Sequence, residues 1–308
     1  MLAIGTYYVP LTRIKKYSIY IFVATFCFQL LVFTPLGSEF NGARWWLRIP
    51  GLTTIQPAEF FKLWFIFLVS TRLVRKKNVL WTIQWFWSFL IITWLCYVIF
   101  LLIPDLGVVL VLSTLSLVMY RYGGWRKRFL LSSIIIWVIF WFIAATQIPY
   151  IRSRLEFFFS RGSDTTWRGI WRQTNQALIA IWWWGIRWQW YGKWLQKFGY
   201  IPEAQSDFIF AAYSEEIWFL WNSILLSLFF VLAWSSIVQL QKVWDQYYKL
   251  VWSGIISLII IQTFINIWVN TNILPLTGLT LPFISTGGSS IMVSCIGLMI
   301  LYKIVWNR

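Results

Sequence analysis

The chain has 308 residues, 59% apolar and only 12% charged, with a net charge of +16. That charged share is about half of what soluble domains use, so a soluble core cannot hide this much apolar surface and the chain belongs in a bilayer. It contains no histidine, which excludes a histidine triad, a histidine general base and a His-ligated metal.

The three cysteines, Cys27, Cys96 and Cys295, stand far apart in apolar runs. They form neither a four-cysteine zinc site nor a disulfide framework, and read as small hydrophobes. In a membrane chain the positive charge points to topology and anionic lipid rather than to nucleic acid.

A spanning helix needs about 20 apolar residues. Eight segments qualify, near residues 17–35, 59–75, 82–103, 106–121, 129–147, 217–240, 248–270 and 286–305. The first is not a signal peptide, because it lacks a small-residue cleavage site and leads straight into more membrane. Arg13, Lys15 and Lys16 precede it and place its start in the cytoplasm. Alternation then puts Arg72, Arg75, Lys76 and Lys77 inside, with Arg121, Arg126, Lys127 and Arg128, and later Lys242, Lys249, Lys303 and Arg308. Every short basic cluster thus falls on one face, with both termini cytoplasmic. The acids fall the other way. Glu39, Glu59, Asp105, Glu156, Asp164, Glu203, Asp207, Glu215 and Glu216 lie at or near the outer face, and only Asp245 lies inside. Either the acids avoid the basic clusters, or the outer side holds a polar site.

Residues 148–216 form the long outer segment. It carries Arg152, Arg154, Arg161, Arg168, Arg172, Arg187, Lys193 and Lys197, a helical stretch near 170–181 and a Trp-rich stretch at 182–194. Loops this long without a role are uncommon. A basic loop beside the membrane suits a phosphate-bearing lipid; the plain alternative is a solvated linker.

Without histidine, carboxylates are the main candidates for proton transfer. Asp207 stands in Pro202-Glu203-Ala204-Gln205-Ser206-Asp207-Phe208-Ile209-Phe210, where the outer segment re-enters apolar sequence. Partial desolvation there would raise its basicity toward general-base work; the alternative is a helix N-cap. Arg44, Glu59 and Lys62 form a second group. Glu59 and Lys62 are three apart and share a helix face, as a functional charge pair or an ion pair that snorkels to the interface. Asp105 follows Pro104 at an outer helix boundary, as a site residue or a turn residue. Near the C-terminus, Pro275-Leu276-Thr277-Gly278 and Pro282-Phe283-Ile284-Ser285-Thr286-Gly287-Gly288-Ser289-Ser290 interrupt the apolar pattern. Such backbone is tolerated at membrane depth only against protein or a wet cavity. Ser285, Gly287, Gly288 and Ser289 either offer donors to a phosphate or form a tight re-entrant turn.

These segments together resemble the SEDS family (shape, elongation, division and sporulation), typified by FtsW and RodA, multispanning enzymes that polymerise lipid II. The resemblance rests on Asn41-Gly42-Ala43-Arg44, Gln56-Pro57-Ala58-Glu59 with Lys62, Pro104-Asp105-Leu106-Gly107 and Gln176-Ala177-Leu178-Ile179-Ala180-Ile181. It continues through Gln196-Lys197-Phe198-Gly199-Tyr200, Pro202–Phe210, Ser214-Glu215-Glu216 and Leu274–Ser290, in family order over nearly the whole chain. The Pro-Glu-Ala stretch leans toward the division type over the elongation type.

The resemblance implies an all-α polytopic membrane glycosyltransferase forming one domain over residues 1–308. It implies lipid II as substrate, a class B penicillin-binding transpeptidase as partner within the division or elongation machinery, and Asp207 as the catalytic base. Gln56, Glu59, Asp105, Glu203 and the Ser285–Ser289 stretch would line the substrate. Arg44, Lys62 and Lys197 would supply positive charge to the departing undecaprenyl pyrophosphate. A divalent cation could assist, although no ligand cluster in the sequence marks one. The rival functions are a lipid-linked precursor transporter and a non-catalytic scaffold.

Two departures stand out. Family members usually have ten spans and the match begins at the third, so Met1 is expected to be an internal start or a truncation point. Trp occurs 25 times against 17 Gly. Trp182, Trp184, Trp188 and Trp194 fall in a loop that the family fills with glycine, and Trp218, Trp221 and Trp268 replace further family glycines. Trp offers neither positive φ nor close backbone approach. We read these positions as UGA codons that mean Gly in the gene's own code.

Overall fold

The computed structural model describes residues 2–40, 43–48, 54–75, 82–124, 127–159, 174–175, 177–178, 181 and 206–306. The N-terminal half runs α1 (Leu2–Tyr8), α2 (Leu11–Leu30) closed by a 3-10 turn (Leu31–Phe33), strands β1 (Gly37–Phe40) and β2 (Ala43–Leu47), and α3 (Pro57–Arg75). Then come α4 (Ile83–Leu102), α5 (Leu106–Tyr122), α6 (Lys127–Gln147) and α7 (Pro149–Phe159). The C-terminal part holds α8 (Ile209–Gln241), α9 (Gln246–Asn270) and α10 (Gly288–Trp306). Residues 174, 175, 177, 178 and 181 are helical as well.

Among the described residues, six segments are long and apolar enough to cross a membrane: α2 with its 3-10 turn, α4, α6, Asn222–Gln241 of α8, α9 and α10. The other two expected spans are also helices. α5 is apolar but shorter, at 17 residues, and α3 carries Glu59, Lys62, Arg72 and Arg75. Side chains such as Leu228, Phe230, Val231 and Trp234 on α8 are more than half exposed. An apolar surface of that kind suits lipid, not water.

The chain divides into two compact units: Met1–Trp137 with Ser236–Ile261 and Gly288–Arg308, and Val138–Ser235 with Gln262–Gly287.

In the first unit α3 is central. It packs on α2, α5 and α10, and most of its residues are buried, including Phe61, Phe65 and Ile66 at 0% exposure. A helix ringed by other helices need not be lipid-apolar, which is how α3 tolerates its charges. Gly254 of α9 allows a close crossing here: a Cβ added to it would stand 2.4 Å from Ile66 Cγ2. One end of this unit collects the basic segments. Lys15 Nζ lies 3.5 Å from Asp245 Oδ2 and 4.8 Å from the Tyr247 ring centroid. Gln246 donates to the Tyr122 carbonyl at 3.4 Å, and Lys303 donates to the carbonyls of Tyr7 and Val9. Elsewhere in the unit the hairpin meets the end of α4 and, through the Leu47↔Ile55 bridge, the approach to α3, whose start meets the start of α10. Trp45 Nε1 donates to the Ile103 carbonyl at 3.2 Å, and the Gln56 N–H donates to Ser289 Oγ at 3.0 Å.

In the second unit α9 ends in a Schellman motif. Asn272 adopts φ +56, its N–H donates to the Val269 carbonyl at 3.0 Å, and the Ile273 N–H donates to the Trp268 carbonyl at 2.7 Å. The chain then runs without helix to Gly287, in line with the Pro and Gly interruptions of the sequence.

Several boundaries differ from those expected. The outer segment was expected to reach residue 216, but α8 begins at Ile209. Hydropathy excluded Glu215 and Glu216, although Glu is a good helix former. α2 starts at Leu11 rather than 17 for the same reason, with Arg13, Lys15 and Lys16 inside it. α7 and the β1–β2 hairpin, paired antiparallel from Gly37↔Leu47 to Phe40↔Ala43, were not anticipated.

Candidate active site

Asp207 sits in the turn 206–208 that leads into α8. The turn is seated by Phe208, which is buried with Ala177 and Ala211 and packed by Ile181, Ala212 and Leu276. That apolar cluster fixes where the polar residue beside it must stand. Asp207 itself is half-buried. Its carboxylate lies beside Gly278: a Cβ added there would stand 3.6 Å from Asp207 Oδ2. That spacing is ordinary contact, so the need for glycine comes from the backbone, which has φ +70.

Three side chains tie the turn to its surroundings. Ser285, fully buried, donates to the Ser206 carbonyl at 2.7 Å and accepts from the Leu281 N–H at 2.8 Å. Asn266 and Asn270 of α9 each donate to the Asp207 carbonyl at 3.0 Å. Arg154 of α7 donates to the Leu276 carbonyl, two residues before Gly278, and stacks on Tyr150 at 4.5 Å. Phe283 holds φ +68, a conformation that is a genuine outlier for a bulky residue and marks a backbone held by its surroundings. Within this unit the structure therefore brings together Asp207, Ser285 and the Gly278 turn. Gly287 lies just beyond, half-buried.

The first unit holds the other candidates. Glu59 and Lys62 form a buried ion pair, with Nζ 2.8 Å from Oε1 and side chains 5% and 0% exposed. Lys62 does not snorkel. Arg44, on β2, lies 3.6 Å from the Glu39 carboxylate, both side chains exposed, so it stands apart from the buried Glu59–Lys62 pair. Asp105 caps α5 by accepting from the Val108 N–H at 3.0 Å. Gln56 and Ser289 are hydrogen-bonded partners. Gly288 opens α10, with open space where a Cβ would stand. Lys197, Glu203 and the Trp-rich stretch at 182–194 lie outside the described residues.

The chain matches the FtsW/RodA/SpoVE family, described as cell cycle proteins, along residues 1–308. It belongs to that family. It is 34% identical to a probable peptidoglycan glycosyltransferase FtsW of Nitrosomonas europaea, covering 99% of this chain and 79% of that protein. It is 35% identical to stage V sporulation protein E of Bacillus subtilis, covering 93% and 78%. Its fold resembles a solved chain from a study of how a peptidoglycan synthase complex coordinates polymerization and crosslinking, with TM-score 0.81, 24% identity and coverage of 100% of this chain and 86% of that one. The rod shape determining protein RodA of Thermus thermophilus is also similar in fold, with TM-score 0.69, 22% identity and coverage of 100% and 83%. An FtsW/RodA/SpoVE member is thus a multi-pass membrane protein, in agreement with the apolar helices above.

Sequence reasoning missed Asn266 and Asn270. The available signal was two amides four residues apart on an otherwise apolar helix, since polar groups inside membrane helices mark function or pairing. In the sequence Arg154 is one of many basic residues of the outer segment, with nothing to single it out.

Proposed function

We propose that this chain is a peptidoglycan glycosyltransferase. It polymerises lipid II, the undecaprenyl-pyrophosphate-linked disaccharide peptide, into glycan strands at the outer face of the bacterial cytoplasmic membrane, for septal wall synthesis in division. The relatives' names support the activity. The observation that carries it is the half-buried Asp207 carboxylate beside Gly278, in a turn anchored by Ser285, Asn266 and Asn270.

In this reading Asp207 accepts the proton of the acceptor sugar's 4-hydroxyl. The freed oxygen bonds to the anomeric carbon of the donor strand, and the bond from that carbon to the pyrophosphate oxygen breaks. An alcohol is a poor nucleophile and needs a base, and a departing pyrophosphate needs positive charge. Arg44 and Lys197 are the cations assigned to it. Lys62, spent on Glu59, acts by keeping the start of α3 in place around Gln56.

The reading sets eight spans with both termini cytoplasmic, supported by the end of the first unit where Lys15 meets Asp245, Gln246 meets Tyr122 and Lys303 meets Val9. A class B penicillin-binding transpeptidase is the proposed partner, in keeping with the synthase complex whose chain is similar in fold.

The test is purified protein with lipid II. Glycan strands are expected, and Asp207→Ala should lower the rate by at least ~100-fold, the usual weight of a general base. Transbilayer movement of lipid II without strands would support a transporter instead, and binding without turnover a scaffold.

A further inference from the structure

Asn266 and Asn270 are the most deeply buried amides of α9, at 1% and 0% exposure. An amide in an apolar interior is costly unless its donors and acceptor are all used. Here they are. Asn266 Nδ2 donates to the carbonyls of Asp207 at 3.0 Å and Leu279 at 2.7 Å. Asn270 Nδ2 donates to the carbonyls of Asp207 at 3.0 Å and Asn266 at 2.8 Å, with Asn266 Oδ1 at 3.3 Å. Asn270 Oδ1 accepts the Ala211 N–H at 3.2 Å, one of the open donors in the first turn of α8.

The Asp207 carbonyl has two lone pairs and takes one donor from each asparagine. That peptide group therefore cannot rotate without stranding two buried amides. Asn266 also holds Leu279, the residue after Gly278, so the acid and the glycine beside its carboxylate are referenced to one helix. None of these bonds reaches a carboxylate oxygen of Asp207. They act on its position through the main chain.

We infer that Asn266 and Asn270 are positioning residues for the Asp207 carboxylate, acting by clamping its backbone carbonyl, with Asn266 also holding the Leu279 carbonyl. This rests on the reading of Asp207 as the base. Misplacing a reacting group by about an ångström costs on the order of 100-fold. Asn270→Ala should therefore lower kcat for lipid II polymerisation by roughly 10- to 100-fold. KM should stay where it is.

Asn270→Asp fills the same space and keeps the acceptor for Ala211, but turns an acceptor toward the Asp207 carbonyl. It should not restore the rate at neutral pH, whereas a residue that only fills space would be replaced adequately. Asn266→Ala should lower kcat in the same way.

The experiment measures kcat and KM for the full chain and these variants with lipid II in detergent. Hydrogen exchange is followed alongside at residues 206–212. Faster exchange there in Asn270→Ala, with residues 250–262 unchanged, is expected even if a variant turns over too slowly to assay. Full kcat in Asn270→Ala or Asn270→Asp would overturn the inference, as would a raised KM with kcat unchanged or unchanged exchange at 206–212. Full activity in Asp207→Ala would instead overturn the reading of the site itself, so the two failures are distinguishable.

Discussion

Glu59 and Lys62 sit at 3% and 0% exposure on α3. A buried pair of this kind roughly breaks even against an apolar pair of the same size, while removing one partner leaves a buried charge alone. Lys62→Ala should destabilise the protein by roughly 3–5 kcal/mol. Thermal or denaturant unfolding in detergent measures it. Replacing both residues together with Leu should restore most of the loss; a Lys62→Ala variant as stable as the parent would show that the pair does not hold α3. Asp105 poses a simpler question. Its carboxylate caps α5, so Asp105→Ala should cost about 1 kcal/mol and Asp105→Ser much less. Retained polymerisation in Asp105→Ser would assign it to capping, and loss of activity with unchanged stability would assign it to substrate. At this scale the sequence was informative about charged residues, since an Asp or Glu at an apolar boundary is conspicuous by itself. It was silent on Asn266 and Asn270, because an amide declares its role only through a partner such as Asp207, 63 residues from Asn270.

Among the elements, α3 shows why hydropathy alone misreads a bundle. It is among the least lipid-like of the long helices and the most enclosed, because α2, α5 and α10 surround it. α8 is the reverse, apolar and exposed along Asn222–Gln241. The crossing of α9 over α3 depends on Gly254. A Cβ there would meet Ile66 Cγ2 at 2.4 Å and Met119 Sδ at 3.3 Å. Gly254→Ala should cost about 1–3 kcal/mol through overpacking, read as a lower unfolding midpoint. Ile66→Ala in the same chain should recover part of that cost; no coupling between the two would contradict the crossing. The spans were legible because about 20 apolar residues in a row leave few options. α7 was not, since Arg152, Arg154 and Glu156 broke its apolar pattern, although Arg152 and Glu156 pair at i, i+4 on its surface. The start of α8 was hidden in the same way by Glu215 and Glu216. The hairpin is too short for strand alternation to show, with Asn41-Gly42 as its one local cue.

For the whole molecule, the unusual feature is its aromatic load, with 25 Trp. Trp244 is 95% exposed and Trp268 43% exposed. Interfacial belts explain part of this. They do not explain Trp182, Trp184, Trp188, Trp194, Trp218, Trp221 and Trp268, at positions where the family resemblance implies glycine, and for these we propose recoding. The codons at these positions should be UGA, and peptides of the native protein should carry the mass of Gly there. UGG codons and Trp masses would remove the recoding proposal and make a scaffold the stronger reading. The most direct test of the central proposal is strand synthesis from lipid II by the native chain beside its Asp207→Ala variant, with folding checked by gel filtration. If Asp207 is the base, the native chain makes glycan strands and the folded variant makes essentially none. Strands from the variant at the native rate would contradict it.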